Sequence, residues 1–325
     1  MKIVIPGGSG QVGTLLARSF QTEGHEVVIL SRSSGASPWR VVPWDARSLG
    51  AWAAEIDGAD VVINLAGRSV NCRYNAANRR EILDSRVDST RVLGEAVARA
   101  ARPPRVWLQA STATIYAHRY EAPNDEATGI LGGGEPDVPD TWKFSIDVAR
   151  AWEEALDAAP TSNVRKVKMR AAMVMSPDPD GVFETLLNLV RRGLGGKAGD
   201  GRQYVSWIHH TDFVRSVHWL IDREGFEGPV NLAAPNPLPY ADFMRALREA
   251  WGIPFGLPAT RWMLEIAALF LGTETELVLK SRRVIPCRLL HEGFRFEFPT
   301  WPEAARELCE AWRGGAGARL RKRSA

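Results

Sequence analysis

Short apolar runs alternate with longer segments of helical periodicity through the first half of the chain. Each run is long enough for one buried strand, and each intervening segment can hold a crossover helix. This alternation is typical of β-α-β units and predicts a parallel sheet. The predicted strands are residues 2–6, 27–30, 40–43, 61–65, 106–110 and 167–170.

Two helices are predicted between these strands. In the first, apolar residues from Val12 to Phe20 recur at helical spacing, and Gly24 ends the pattern. The second covers residues 79–100, where apolar positions again fall on one face. Both helices have the length expected of a connection between parallel strands.

The regular alternation ends after Arg170. Residues 121–140 are rich in Pro, Gly, Asp and Glu, which predicts an exposed loop. The apolar run at 263–271 is too short to span a bilayer, and we expect a buried helix there. A short apolar run at 230–232 can return to the main sheet as a strand. Further helices are predicted at residues 183–192, 211–222, 240–251 and 260–271.

These elements predict an α/β protein: a Rossmann, doubly wound parallel sheet with a smaller mixed C-terminal domain. We expect residues 1–170 to form the sheet domain, with residues 230–232 as its return strand. Residues 171–325 are expected to form the smaller domain, where substrate binds.

Composition narrows the class of protein. The chain has 325 residues, of which 45% are hydrophobic, and a net charge of only +3, so we expect no nucleic-acid partner. Its three cysteines are too scattered for a disulfide framework or a CxxC metal site, and we predict no metal. We also expect no signal peptide, no membrane partner and a cytoplasmic location.

A glycine-rich loop directly follows the first predicted strand. Gly7, Gly10 and Gly13 stand three residues apart at the start of the first helix. Such a loop needs one glycine for the tight turn, one for close approach of a diphosphate and one for helix packing. The helix N-terminus adds partial positive charge. We therefore predict a dinucleotide site, with contacts from Gly7, Ser9, Gly10, Gln11, Val12 and Gly13.

The end of the second strand indicates which dinucleotide binds. An acidic residue there would bond the ribose hydroxyls of NAD, but the strand ends in Ser31, Arg32 and Ser33. A guanidinium and two hydroxyls suit a 2′-phosphate, so the sequence favours NADP(H). The alternative is that Arg32 is an ordinary surface cation.

Motifs in the same order resemble the extended short-chain dehydrogenase/reductases, an atypical branch in particular. That branch is the largely uncharacterised "epimerase family protein" group, which is similar to NAD-dependent epimerases and dehydratases and has a C-terminal domain of unknown function. The segment from about 253 to 300 corresponds to this domain. The motifs are GxxGxxG at 7–13, NLAG at 64–67, STATIY at 111–116, ILDSRV at 82–87, SWIH at 206–209, RVIP at 283–286 and GFRF at 293–296.

The resemblance implies further site residues. Thr112 occupies the position of the superfamily's substrate-contacting Ser or Thr, and its hydroxyl can hydrogen-bond a substrate carbonyl or alcohol. Loops after the third, fourth and fifth strands are implied to contact the cofactor. Their residues are Asp45, Leu65, Ala66, Gly67, Ala110 and Ser111.

One part of the superfamily pattern is missing. Most members transfer a proton with a Tyr-x-x-x-Lys pair, but none of the five tyrosines has a lysine four residues later. In the helix where the pair belongs, Phe144 and Val148 stand in its place. Tyr116 is the nearest replacement for the tyrosine, and a phenol that only packs under the cofactor is the alternative reading.

Weaker candidates lie elsewhere. Arg79 and its arginine neighbours can favour an acidic substrate or can be solvated helix charges, and Trp207 can wall a substrate pocket or fill the core. The residues His209, His210 and Asp212 are of the types found in a triad or metal site, although the resemblance assigns them to a docking segment.

Two functions remain open. The first is an oxidoreductase or epimerase-like enzyme that uses NADP(H) on an unknown small molecule, with Thr112 and Tyr116 as catalytic residues. The second is a regulatory or scaffold protein that kept the NADP(H) site and lost the chemistry. The missing pair favours the second, and Thr112 with the C-terminal domain favours the first. Because superfamily members often dimerise, a homodimer is among the expected arrangements.

Overall fold

The computed structural model describes residues 1–33, 37–271 and 274–323. The strands are β1 (Lys2–Pro6), β2 (Glu26–Ser31), β3 (Arg40–Pro43), β4 (Val61–Asn64), β5 (Val106–Thr112), β6 (Arg165–Ala171), β7 (Met173–Met175), β8 (Tyr204–Val205), β9 (Trp207–His209), β10 (Gly228–Leu232) and β11 (Leu238–Pro239). The α-helices are α1 (Gln11–Thr22), α2 (Ala76–Arg99), α3 (Asp140–Asp157), α4 (Val182–Arg191), α5 (His210–Asp222), α6 (Tyr240–Trp251), α7 (Arg261–Leu271), α8 (Glu276–Leu279), α9 (Cys287–His291) and α10 (Trp301–Arg323).

The main sheet has seven strands in the order β10-β6-β5-β4-β1-β2-β3. The pairings that join β3, β2, β1, β4, β5 and β6 are all parallel. The strand order reverses between β1 and β4, so the loops after these two strands emerge side by side. In doubly wound sheets this reversal is where nucleotides bind. The α/β Rossmann fold predicted from the sequence is confirmed.

The chain divides into two compact units. Unit 1 contains residues 1–115, 136–171 and 214–230. Its central strands are apolar on both faces, as expected of a covered parallel sheet, and Val4, Val62 and Trp107 contribute fully buried side chains to its core.

Unit 2 contains residues 116–135, 172–213 and 231–325. Its core is aromatic: the ring of Trp301 stacks on Phe243 at 4.0 Å and meets Trp207 edge-on at 5.0 Å. Two small pairs of strands, β7 with β9 and β8 with β11, accompany the helices.

Helix α7 corrects one expectation about unit 2. The helix forms at Arg261–Leu271, but it is not buried as its apolar sequence suggested. Trp262, Ile266 and Leu269 are 63%, 48% and 65% exposed, whereas Ala268 is buried. Among the described residues, no helix combines the length and apolarity that a membrane crossing requires.

Candidate functional site

The three glycines after β1 have different surroundings. Gly7 has a φ of +73°, and a Cβ added there would lie 2.6 Å from the backbone of Ala66. A Cβ on Gly13 would lie 2.4 Å from the backbone of Gly8, whereas one on Gly10 would meet no heavy atom of the described residues within 4 Å. Gly7 and Gly13 therefore serve the turn and the packing, and the space beside Gly10 is open to a ligand.

Helix α1 begins directly after this loop. Gly10 is its N-cap, no side chain of the described residues caps it, and its first turn contains no acidic residue. The N-terminal N–H groups of α1 therefore point toward the loop without a competing carboxylate. This arrangement suits a phosphate group.

A cavity of about 970 Å³ lies beside β2, β3 and β4 in unit 1. Arg32 is exposed at its edge, and no carboxylate of the described residues pairs with this guanidinium. Three guanidinium groups and two carboxylates face the cavity, so its lining is strongly polar. The lining residues are Arg32, Pro43, Trp44, Asp45, Arg47, Arg68, Glu81 and Ser85.

Hydroxyl groups gather at the end of β2. The Ser31 hydroxyl donates to Ser9 Oγ at 3.3 Å and lies 3.3 Å from Ser33 Oγ. Ser31 also accepts a hydrogen bond from the backbone N–H of Ser33. The structure thus brings together three of the predicted cofactor residues, from the glycine loop and from β2.

Asp45 closes the turn after β3. Its carboxylate accepts hydrogen bonds from the backbone N–H groups of Arg47 and Ser48, at 2.9 and 3.0 Å, and from the Ser48 hydroxyl. These donors, the Ser48 hydroxyl first, lower the pKa of Asp45 to about 2. Asp45 is therefore ionised at neutral pH and holds the backbone of Arg47 and Ser48 in this turn, while Nε of Arg47 lies 3.7 Å from a carboxylate oxygen of Asp88.

The loop after β4 is fixed by backbone groups. The N–H of Leu65 donates to Pro6 at 2.8 Å, and the N–H of Ala66 donates to the buried side chain of Asn64 at 3.1 Å. Gly67 follows and is exposed. The predicted cofactor residues of β4 therefore stand next to the glycine loop, as the sheet order requires.

A buried ionic network surrounds the end of β5. The Ser111 hydroxyl donates to Glu153 at 2.6 Å, and the guanidinium of Arg170 binds both oxygens of the same carboxylate at 2.9 and 2.8 Å. Ala110 precedes this network on β5. The hydroxyl of Ser111 thus faces α3, and a cofactor contact by Ser111 stays a prediction.

Thr112 is the last residue of β5. Its Oγ1 accepts a hydrogen bond from the backbone N–H of Thr114 at 3.1 Å. This leaves the hydroxyl hydrogen of Thr112 for donation to another oxygen. Thr112 is half-buried, and its catalytic role stays a prediction.

Helix α3 carries Phe144 and Val148, which the sequence analysis places at the positions of the superfamily's tyrosine and lysine. Phe144 is half-buried and Val148 is buried, in one apolar cluster with Tyr74 and Ile82. The rings of Tyr74 and Phe144 meet edge-on, with centroids 5.1 Å apart. Neither replacement can transfer a proton.

The guanidinium of Arg79 lies close to this cluster. Its Nε donates to the carbonyl of Tyr74 at 2.8 Å, and its Nη2 bonds Asp140 at 2.5 Å. Its carbon Cζ lies 4.9 Å above the ring of Phe144. These contacts give Arg79 a structural role, and substrate binding by Arg79 stays a prediction.

Tyr116 and Trp207 both lie in unit 2. The Tyr116 hydroxyl donates to Asn231 at 3.0 Å, and the residue is 2% exposed. Trp207 is 0% exposed and packs against Trp301. The catalytic role of Tyr116 and the substrate contact of Trp207 stay predictions.

His209, His210 and Glu307 place ligand atoms within 4.8 Å of one another, a spacing that can hold a metal ion. However, Nδ1 of His209 accepts from the backbone N–H of Thr211, so the proton of a neutral imidazole is on Nε2, where it is donated to Glu307 at 2.8 Å. Burial lowers the pKa of His209 to about 4, which keeps the ring neutral. The pattern is that of a hydrogen-bonded pair, not of a prepared metal ligand.

Asp212, in the first turn of α5, belongs to the same segment. Its two carboxylate oxygens accept hydrogen bonds from the backbone N–H groups of Glu297 and Phe298, both at 2.8 Å. The carboxylate holds the chain segment before α10, and it does not orient His209 as a triad would require.

Sequence reasoning missed several residues near the predicted site. No lysine follows Tyr74 at the required spacing, so the sequence gives no signal for this residue. Nothing in the sequence pairs Glu153 with Ser111 or Arg170 either. Arg47 comes soon after the end of β3, as Arg32 comes directly after β2, and this position was the signal that could have identified it. The contacts of Arg86 with the loop after β4 depend on tertiary packing, which spacing along the chain does not reveal.

Comparisons with known proteins agree with this architecture. Residues 3–233 match the NAD dependent epimerase/dehydratase family, and residues 259–308 match a domain of unknown function, DUF1731. The epimerase family protein SDR39U1 of Bos taurus is 30% identical over 95% of this chain and 99% of its own length. Epimerase family protein YfhF of Bacillus subtilis is 29% identical, over 92% and 94% respectively.

Solved structures show the same similarity. Human epimerase family protein SDR39U1 (isoform 2), crystallised with NADPH, matches with a TM-score of 0.82 and 28% identity, over 95% of this chain and 99% of that one. UDP-glucose 4-epimerase of Thermus thermophilus, in complex with NAD, matches in fold with a TM-score of 0.72 and 17% identity, over 97% and 99%. The family match, the paired C-terminal domain and the Rossmann geometry agree: this chain belongs to the NAD dependent epimerase/dehydratase family.

Proposed function

We propose that this protein binds NADP(H) and works as an oxidoreductase or epimerase-like enzyme on a small molecule. The observation that carries the proposal is the cavity beside β2, where Arg32 has no carboxylate partner in the described chain and the strand ends without an acid. A 2′-phosphate would supply the missing negative charge. Bound there, the nicotinamide cofactor would supply hydride transfer.

The residues present fit such a cofactor. The open space at Gly10 and the uncapped start of α1 suit the diphosphate, while Arg32, Arg47 and the serine hydroxyls suit the 2′-phosphate. The relative SDR39U1, which has been crystallised with NADPH, supports the same cofactor.

For the chemistry, we propose that Thr112 hydrogen-bonds the substrate oxygen. Its hydroxyl retains a hydrogen to donate, and it stands at the carboxyl end of β5, where doubly wound sheets place ligands. Tyr116 remains a proposed proton donor, although its hydroxyl is bonded to Asn231.

The cofactor preference is tested by fluorescence titration with NADPH and NADH. We expect NADPH to bind more tightly, and Arg32→Gln to weaken NADPH roughly tenfold or more with little effect on NADH, because a charge-assisted contact is lost. Arg99→Gln, an exposed arginine at the end of α2, is the matched control. Equal or tighter binding of NADH by the wild type would contradict the preference.

A regulatory or scaffold protein that senses NADP(H) is the second candidate. It is favoured by Phe144 and Val148, which replace the proton-transfer pair, and by the engaged hydroxyl of Tyr116. Deuteride exchange from labelled NADPH to a panel of carbonyl compounds separates the two functions. Exchange into any compound supports the enzyme, and NADPH binding without exchange across a broad panel supports the sensor.

Partners and location remain proposals. We propose a small-molecule substrate and no nucleic-acid partner. We also propose a homodimer, and light scattering on the purified protein would show a dimer or refute it. A cytoplasmic location is proposed on the three free cysteines, Cys72, Cys287 and Cys309.

A further inference from the structure

Exposed apolar side chains are concentrated in one part of unit 2. Among the described residues, twelve large apolar side chains are exposed, and seven of them lie at residues 194, 255–257 and 262–269. The exposed fraction of these seven runs from 42% for Met263 to 65% for Leu269. They are named the apolar face below: Leu194, Phe255, Leu257, Trp262, Met263, Ile266 and Leu269.

Backbone hydrogen bonds join the segments that carry the apolar face. The segment after α4 pairs with the segment before α7: the N–H of Leu257 donates to the carbonyl of Gly193 at 2.8 Å, and the N–H of Ala259 donates to the carbonyl of Lys197 at 2.9 Å. Helix α7 begins two residues after Ala259. The two paired segments therefore lead directly into α7.

The outer side of α7 is apolar. Leu264 packs against the core of unit 2 and Ala268 is buried, so this side of the helix is covered by protein. At 3.6 residues per turn, Trp262, Ile266 and Leu269 lie on the opposite side. A helix that is apolar on both sides is normally covered on both. With eleven residues, α7 is shorter than the roughly 20 that a bilayer crossing needs, so it can only lie on a surface.

The apolar face is large for the surface of a monomer. Its seven side chains are about half exposed, which corresponds to an apolar area on the order of 600 Å². The largest apolar patch of a typical monomer is about 300–600 Å², and such patches often bind a partner. The size of the apolar face therefore indicates an interaction surface.

Positive charge borders the apolar face. Arg192 and Lys197 lie on the segment after α4, both are exposed, and no carboxylate in the described part of the chain pairs with either. The carboxylate of Glu265 is paired with Arg261 at 3.3 Å. Asp200 follows on the same segment as Lys197 and offsets one of the two charges. The border therefore keeps a net positive charge.

A bilayer that contains anionic lipids fits both properties. The apolar side chains can enter the boundary of the acyl chains while the cations contact lipid phosphates. Trp262, which is 63% exposed, is of the residue type enriched at this boundary. A second copy of the chain fits less well, because a two-fold interface would bring the same cations of both copies together, where they repel each other.

We propose that the apolar face docks on the surface of a bilayer that contains anionic lipids, with α7 lying along the surface and Arg192 and Lys197 at the lipid phosphates. The expectation of no membrane partner rested on the lack of a spanning segment, and docking of this kind needs none. The proposal is independent of the cofactor and of the reaction. It gives a role to part of the segment, residues 259–308, that matches the domain of unknown function.

The full chain is tested by flotation with lipid vesicles in a density gradient. One set of vesicles is phosphatidylcholine alone, and the other contains equal parts of phosphatidylcholine and phosphatidylserine. We expect the wild type to float with the phosphatidylserine vesicles and to bind the neutral vesicles about tenfold more weakly, because the negative surface potential is lost. No flotation with either set, or equal flotation with both, would overturn the inference.

The apolar part of the surface is tested with the double variant Trp262→Ser, Leu269→Ser. Binding to phosphatidylserine vesicles should weaken about tenfold or more, because two apolar side chains no longer leave water. Leu290→Ser, which replaces an exposed leucine on α9 outside the apolar face, is the matched control and should float like wild type. Urea unfolding checks that the variants fold. Flotation of the folded double variant at the wild-type level would contradict the proposal.

The charged border is tested separately with Arg192→Gln, Lys197→Gln. This variant should bind phosphatidylserine vesicles about tenfold more weakly and neutral vesicles unchanged. The control, Arg99→Gln with Arg223→Gln, removes two exposed cations of unit 1 and should leave flotation as in wild type. Equal loss in the two double variants would mean that only total charge matters, and the assigned docking face would be wrong.

Light scattering without lipid decides whether a second copy covers the apolar face instead. The same oligomeric state in wild type and in Trp262→Ser, Leu269→Ser would leave the face free for lipid and support the proposal. A wild-type dimer that becomes a monomer in this variant would assign the face to a second copy and overturn the proposal.

Discussion

At the residue scale, the glycine loop shows how one motif contains positions of different kinds. Gly7 and Gly13 are required by the protein itself, since a side chain at either would collide with backbone atoms. Gly10 faces open space, so its lack of a side chain matters only when a ligand approaches. The spacing of the motif was readable from the sequence, but this division of roles required the three-dimensional surroundings.

Substitutions at Gly10 and Gly13 should therefore differ in kind. Gly13→Ala should lower the free energy of unfolding by about 1–3 kcal/mol, because the new methyl group forces the backbone of Gly8 to move. Gly10→Ala should stay within about 1 kcal/mol of wild type and yet weaken NADPH binding. Urea unfolding and NADPH titration measure the two effects, and normal NADPH affinity in a folded Gly10→Ala variant would contradict the assignment.

The network at Glu153 gives a second residue-scale prediction. Glu153→Gln removes the counter-charge of Arg170, whose side chain is only 8% exposed, and should cost about 3 kcal/mol of stability. Glu154→Gln changes an exposed neighbour on the same helix and should stay within about 0.5 kcal/mol. Similar unfolding midpoints for the two variants would argue against a stabilising role of the buried pair.

At the element scale, hydrophobic periodicity predicted the regular strands and helices. It did not predict features that depend on packing between elements. Strand β1 was predicted at its observed bounds, because a buried parallel strand is a short uninterrupted apolar run. Helix α2 begins at Ala76, earlier than the apolar pattern suggested, because the side chain of Asn75 accepts a hydrogen bond from the N–H of Asn78 and caps it.

Helix α7 shows the opposite case. Its sequence is apolar on nearly all sides, so periodicity could not indicate which face is covered or whether any is. The packing of Tyr74 against α3 was not predictable either, because it follows from the path of the chain before α2. Contacts between elements distant in sequence are what a single sequence conceals.

His209, the last residue of β9, should make the free energy of unfolding depend on pH. His209 is held neutral with a pKa of about 4, whereas an unfolded histidine has a pKa near 6.5. The unfolded chain therefore binds more protons between these values, and stability should fall as pH drops from 6.5 toward 4, by up to about 3 kcal/mol. The raised pKa of Glu307 acts in the opposite direction, which makes a difference measurement necessary.

The difference is measured by unfolding His209→Gln and wild type across this pH range. The variant should lose part of the decline in stability at low pH, while His291→Gln, an exposed histidine, should keep all of it. Parallel pH curves for wild type and His209→Gln would show that His209 is not buried as a neutral ring.

At the scale of the whole molecule, the sheet order is what gives the local motifs a common function. Because β1 and β4 are neighbours and β2 follows β1 in the sheet, the loops after all three strands emerge at one edge. Family, fold and cofactor class could be predicted from the sequence for this reason. Substrate could not, since a fold of this kind supports many reactions and the chemistry depends on the few side chains beside the nicotinamide.

The most direct test of the account is a crystal structure of this protein with NADPH. We predict that the diphosphate lies over the loop from Gly7 to Gly13 and that the 2′-phosphate contacts Arg32, with Thr112 near the C4 atom of the nicotinamide. NADPH bound elsewhere, or with its 2′-phosphate away from Arg32, would contradict the central claim.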